Sequence, residues 1–302
     1  MKPSLKQVYA GIFGLSCCLA ACAQDQGNGE EEDLATVTSP LVGHPTTIGV
    51  ARQEGSSLHW QLRTSNSPGN ATIAFNFGSY RPVVGDWNAN GVDTIGSFKQ
   101  VGGNWEWSLR NSNSEGGNDI TVVYGSQTLG DFPVVGDWDG NGTVTIGVVR
   151  PNGNGNGNWR WMLRNSNTPG NPELDFEHGS VTLNDRPIVG DWDGNSTTTV
   201  GVVRNTGNTW RWLLRNSNTT GNPNLDFEYG SPTLGDLPIA GDWDGSGNMT
   251  IGVTRPICTA TSCPGGWRWL LRNSNTAGNP NLDFEYGSWL QGDIPVAGVW
   301  IP

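Results

Sequence analysis

The chain has 302 residues, among them 44 glycines, 15 tryptophans and five cysteines, and a formal net charge of −11. An acidic balance of this size repels nucleic-acid phosphates and anionic lipid headgroups, so a nucleic-acid-binding function is set aside.

At the N-terminus, Lys2 and Lys6 precede an apolar run from Val8 to Ala21 that is too short to span a membrane. This reads as a secretion signal, residues 1–21. The run ends Leu19-Ala20-Ala21-Cys22, which resembles the bacterial lipobox. The resemblance implies acylation of Cys22, which becomes the mature N-terminus and the anchor to a membrane. Ordinary cleavage after Ala21-Cys22-Ala23 is the alternative. Ala23 stands where such lipoproteins carry Asp for inner-membrane retention, so the implied destination is the outer membrane or cell surface. Residues 22–39 are polar and acidic without periodicity, and read as a flexible tether. Loss of residues 1–21 removes two lysines and no acid, which takes the balance to −13. Cys17 and Cys18 leave with the signal. Cys258 and Cys263 remain within one loop, where an oxidising compartment favours a small disulfide.

From residue 40 to 302 one sentence repeats. Gly-Asp-Trp recurs at Gly85, Gly136, Gly190 and Gly241, spaced 51, 54 and 51 residues apart, and a degenerate Gly-Val-Trp begins at Gly298, 57 residues further on. A fixed period of this size marks a supersecondary unit that cannot bury its own faces and stacks on its neighbours. Each unit shows four short runs typified by PVVGDW, TIGVVR, WRWLLR and LDFEYG, alternating, rich in β-branched and aromatic residues and bounded by turn formers. These predict four strands per unit and no helix. Radial repetition of four-stranded sheets predicts an all-β fold, a β-propeller of five blades, with an open β-array as the alternative. The PVVG-type segment occurs six times, counting Pro40-Leu41-Val42-Gly43, so one copy is redundant; the ring is expected to close through the terminal PVAGVW strand.

Alternation places Trp210, Trp212 and Leu214 on one side of the third run, and Asp226 and Glu228 together on one side of the fourth. Third runs with two arginines (Arg160/Arg164, Arg211/Arg215, Arg268/Arg272) accompany fourth runs with two acids (Asp175/Glu177, Asp226/Glu228, Asp283/Glu285). Where His59 or Glu106 replaces the first arginine the acids are gone. Charges that come and go together predict cross-strand ion pairs; a ring of arginines aimed at an anionic ligand is the functional alternative. The tryptophans, at fixed repeat positions, are expected in the core between sheets. Trp289 breaks the pattern and is the better surface candidate.

The turn after Asp-Trp offers oxygens at alternate positions around a glycine: Asp137, Asp139 and Asn141; Asp191, Asp193 and Asn195; Asp242, Asp244 and Ser246; and, more weakly, Asp86, Asn88 and Asn90 with Asp93 near. Such spacing is the front half of a calcium loop. The repeat resembles the FG-GAP and VCBS repeats of bacterial surface proteins and integrin α-subunit propellers, whose blades carry D-x-D-G-D-G-x-x-D loops. The resemblance implies that the residues just named are ligands of structural calcium. Position 9 is Thr (Thr94, Thr145, Thr199, Thr250) and position 5 is never Asp, so any site is weak, on the order of 10⁻⁴–10⁻³ M. Turns held by Asp and Asn bonding their own backbone are the alternative.

All length differences among the copies fall between the second and third runs, at the end opposite the Asp-Trp turns, and per-repeat insertions on one face often mark a binding face. Nucleophile elbows, zinc-binding helices and phosphate loops are absent from the sequence, and His44, His59 and His178 are scattered. The expectation is a monomeric, non-enzymatic recognition or adhesion module for glycan or protein, with near-identical RNSNTxGNP copies as like sites. A purely structural envelope lipoprotein and, last, a hydrolase working at the ring's centre are the alternatives.

Overall fold

In the computed structural model, which describes residues 43–151, 155–258 and 264–301, twenty strands form five four-stranded antiparallel sheets. Blade 1 contains β1 (Thr47–Glu54), β2 (Ser57–Leu62) and β3 (Ile73–Asn76). Blade 2 contains β4 (Arg81–Gly85), β5 (Thr94–Val101), β6 (Asn104–Leu109) and β7 (Ile120–Ser126). Blade 3 contains β8 (Phe132–Gly136), β9 (Thr145–Pro151), β10 (Asn158–Leu163) and β11 (Leu174–Ser180). Blade 4 contains β12 (Asp185–Gly190), β13 (Thr199–Asn205), β14 (Trp210–Leu214) and β15 (Leu225–Glu228). Blade 5 contains β16 (Leu237–Gly241), β17 (Thr250–Pro256), β18 (Gly266–Leu271) and β19 (Leu282–Ser288). The last strand, β20 (Asp293–Gly298), joins blade 1 against β1, pairing Thr47 with Gly298 and Arg52 with Asp293.

The first strands touch in sequence, β4 to β8 to β12 to β16 to β20 and back to β4, so they form the inner ring of a five-bladed β-propeller. Val84, Val135, Val189, Ala240 and Ala297, one from each, are at most 2% exposed. The redundant copy of the segment is the N-terminal one. β20 takes its place, and Gly43 instead donates its N–H to Gly245 O at 3.0 Å, on the Asp-Trp turn of blade 5.

Tryptophan explains both halves of the repeat. Trp60, Trp107, Trp161, Trp212 and Trp269, one per third strand, are fully buried between sheets. Each indole N–H is satisfied by a carbonyl in, or one residue past, the outermost strand, as in Trp212 Nε1 to Tyr229 O at 2.9 Å. In Gly-Asp-Trp the indole folds back over its own glycine: a Cβ on Gly136 would stand 2.7 Å from Trp138, so only glycine fits. Trp289 is half-buried and packs against the hydrophobic cluster between blades 5 and 1, so it does not form the free surface platform its irregular position suggested.

Candidate functional site

The Asp-Trp turns sit at one end of the ring. Asp137 is fully buried, and its carboxylate accepts the N–H groups of Asn141 (3.0 Å) and Gly142 (2.8 Å). Asp191 does the same for Asn195 and Ser196 at 3.0 and 2.7 Å, and Asp242 for Ser246 and Gly247 at 3.0 and 2.8 Å. Asp86 takes those of Asn90 and Gly91 at 3.1 and 2.7 Å. At position 5, Asn90, Asn141 and Asn195 accept from the residue two places on. Asp139, Asp193, Asp244 and Asn88 are exposed. The position-9 threonines lie in second strands and donate to backbone, as Thr145 Oγ1 does to Arg164 O at 2.6 Å.

These donor sets are complete as self-capped turns. Among the described residues no group of three or more His, Cys, Asp or Glu is placed to hold a metal. Burial pushes the carboxyl groups of Asp137 and Asp242 upward, with repulsion from Asp139 and Asp244 a smaller cause, and pushes Asp191 to about 6. The turns also join blades: Thr198 N donates to Asp137 O at 2.7 Å while its Oγ1 accepts from Asp137 N at 3.0 Å.

The RNSNTxGNP copies turn out to be arginine-centred loops. Arg215 is buried; it donates to Asn222 O and, through Nη2, to Ser217 Oγ and Thr219 Oγ1 at 2.9 Å each. Arg272 and Arg63 repeat the pattern, and Arg164 adds Glu173 Oε1 at 2.9 Å. Gly221, with φ +153, passes so close that a Cβ would lie 2.7 Å from the Arg215 guanidinium. Of the two arginines expected to form cross-strand pairs, only the first does so. Arg160–Asp175, Arg211–Asp226 and Arg268–Asp283 are bidentate, with closest approaches of 2.5–2.6 Å. The second lies one residue past the strand end and serves its own loop.

At the opposite end of the ring a second buried carboxylate appears that the sequence reading missed. Asp131, Asp185 and Asp236 close the connection before each first strand. Each binds an arginine 19 residues on, with Arg150, Arg204 and Arg255 donating through Nε at 2.6 Å and through Nη2 at 2.8–2.9 Å. Asp293 accepts from Arg52 Nε at 2.6 Å. These carboxylates also accept from Ser126, Ser180, Ser231 and Ser288 N of the preceding blade, while Trp105, Trp159, Trp210 and Trp267 donate to the aspartates' carbonyls. The invariant 19-residue spacing was the available signal. The length insertions, between second and third strands, fall at this same end, though residues 152–154 and 259–263 lie outside the description. Cys258 is disulfide-bonded; Cys263 and Cys22 lie among the residues not described.

Between blades 4 and 5 this architecture leaves a groove of about 260 Å³, walled by Tyr229, Val253 and Leu270 and edged by Arg255, Arg268, Asp283 and Pro280. Its counterpart between blades 5 and 1, about 350 Å³, is lined by Tyr286, Gly287, Gln61, Asn70 and Ala71. Tyr229 and Tyr286 hold matching positions, donating to Leu270 O and Gln61 O at 3.0 Å, and carry Arg272 and Arg63 over their rings at 5.7 and 5.6 Å. Comparison with protein-family models and with curated proteins finds no match for the chain.

Proposed function

We propose that this β-propeller is a non-enzymatic binding module, held at the bacterial surface through Cys22, that recognises a glycan or protein partner through its repeated inter-blade grooves. The supporting observation is that a groove opens at two successive junctions, 4–5 and 5–1, each beside a tyrosine of the preceding blade, Tyr229 and Tyr286, at matching positions. Repeated weak sites on one rigid ring gain avidity without tight single-site contacts. The resemblance to FG-GAP and VCBS repeats of surface proteins agrees with this placement. Presenting the intact protein to arrays of glycans and of extracellular proteins tests the reading, and no binding on either array would remove it.

Calcium is a secondary part of the proposal. Asp137 beside Asp139, and Asp242 beside Asp244, are like charges that a cation at the turn would relieve. A melting midpoint that rises with millimolar calcium and falls back with chelator is the expected result. An unchanged midpoint leaves the turns as self-capped and drops the metal.

A further inference from the structure

Building on the binding-module reading, we infer that the Asp–Arg–Arg–Asp sets of blades 3, 4 and 5, at junctions 2–3, 3–4 and 4–5, each take one pyranose unit of a neutral saccharide. The register places Arg255 directly opposite Arg268, as it does Arg150 and Arg160, and Arg204 and Arg211. Like charges facing each other across strands are unfavourable, yet the chain keeps this pairing three times. It offsets each with two aspartates, so Asp236, Arg255, Arg268 and Asp283 form a row across the blade, with Glu285 opposite Arg268 leaving one acid in excess.

Both arginines bond their own aspartate through Nε and Nη2. Their Nη1 groups have no protein acceptor among the described residues. Arg268 and Asp283 are 44% and 41% exposed at the side chain, so donors and acceptors alternate along one accessible edge. A sugar hydroxyl both donates and accepts, and vicinal hydroxyls match such an alternation. Tyr229, Val253 and Leu270 lie beneath the row at junction 4–5 and are at most 8% exposed, so the sugar is held through its hydroxyls and not on an apolar platform. A row with one acid in excess, on a chain of net charge −11, repels an anion, which selects the neutral over the acidic saccharide. The other two junctions lack the set. At 5–1, Arg52 faces His59, and Ala74 stands where blades 3 to 5 carry the aspartate; at 1–2, Lys99 pairs with Glu106 at 3.2 Å.

The intact protein is screened on an array of neutral and acidic glycans, and the best neutral oligosaccharide is titrated by calorimetry. The expected stoichiometry is three per chain. Asp175→Asn, Asp226→Asn and Asp283→Asn should each weaken one site by about tenfold or more. The triple variant should lose binding with its melting midpoint nearly unchanged, and His59→Arg with Ala74→Asp should add a fourth site. Binding confined to acidic glycans, or neutral-glycan binding untouched in the folded triple variant, overturns the inference. Binding to the protein array alone overturns it while the binding-module reading stands, and silence on both arrays removes both.

Discussion

Two kinds of Arg–Asp pair coexist within each of blades 3, 4 and 5, and their surroundings decide what each is worth. Asp236 is fully buried and its Arg255 partner only 26% exposed, whereas Arg268 and Asp283 both stand in solvent. Removing one member of a buried pair strands the other, at a cost of about 3 kcal/mol, while an exposed pair contributes about 0–1 kcal/mol after screening. Asp236→Asn should therefore lower the denaturant midpoint strongly and Asp283→Asn hardly at all; equal shifts would contradict the division. Titration separates the carboxylates too. The guanidiniums beside Asp175, Asp226 and Asp283 hold those carboxyls below their ordinary value, so their stabilisation is present above pH ~4 and fades as pH falls through the depressed value. Asp191 has the opposite sign. Burial raises it to about 6, so its contribution is full below pH ~4 and is lost as pH rises through about 6. Asp191→Asn should gain stability relative to the parent protein between pH 4 and 7, as read from paired melting curves, and a constant difference across that window would refute the assignment.

Strands and turns were legible because each residue's surroundings there are set by near neighbours. Alternation in PVVG, TIGVVR and WRWLLR needs only a period of two, and every unit carries it, so the four strands per blade follow. The rule fails where the strand ends. Arg164, Arg215 and Arg272 follow Leu163, Leu214 and Leu271, the last residues of their strands, so facing no longer applies and each guanidinium folds into the Asn-Ser-Asn loop. Asp131, Asp185, Asp236 and Asp293 escaped notice for a different reason: their partners are split between two blades, the arginine in one and the serine and tryptophan in the blade before, and only the spacing to the arginine leaves a trace in the repeat. The turn residues Asp137, Asp191 and Asp242 were found, but calcium ligation and backbone capping ask for the same residue types at the same spacing. The loop predicts its own behaviour. Arg215→Ala removes the centre of residues 216–224, whose backbone contacts run largely through that side chain. Amide hydrogen exchange in this loop should accelerate while the β13 and β14 amides stay protected, whereas unchanged exchange would mean the loop is held by other contacts.

The ring as a whole has one seam unlike the rest. Four junctions carry the buried aspartate, its arginine and a tryptophan N–H to the aspartate carbonyl; the junction from blade 1 to blade 2 has Tyr80, Lys99 and Leu58 at the corresponding places. That seam is also where the C-terminus docks. Val299 N donates to Asp93 Oδ2 at 2.7 Å, Asp93 N returns a bond to Val299 O at 2.8 Å, and Trp300 Nε1 reaches Ile48 O at 3.2 Å. Asp93 is 1% exposed and its Oδ1 lacks a partner, so burial drives its carboxyl well above the ordinary range, with Asp86 adding repulsion. A raised acid stabilises below its unfolded value and loses that contribution as pH rises through its folded one, so the closing seam weakens toward alkaline pH. Thr198 and Thr46 perform the same exchange at two other junctions without charge, their hydroxyls accepting from Asp137 N and Asp242 N at 3.0 Å. Asp93→Thr should therefore raise the melting midpoint at pH 8 and flatten its pH dependence, leaving pH 4 nearly unchanged. A variant destabilised at both pH values would show that the ionised carboxylate is needed to hold Val299. Deleting residues 293–302 is the stronger perturbation: β1 loses its ladder to β20 and becomes an exposed edge. The truncated ring should aggregate or bind free β20 peptide, and a soluble monomer with unchanged melting would show that closure through β20 is dispensable.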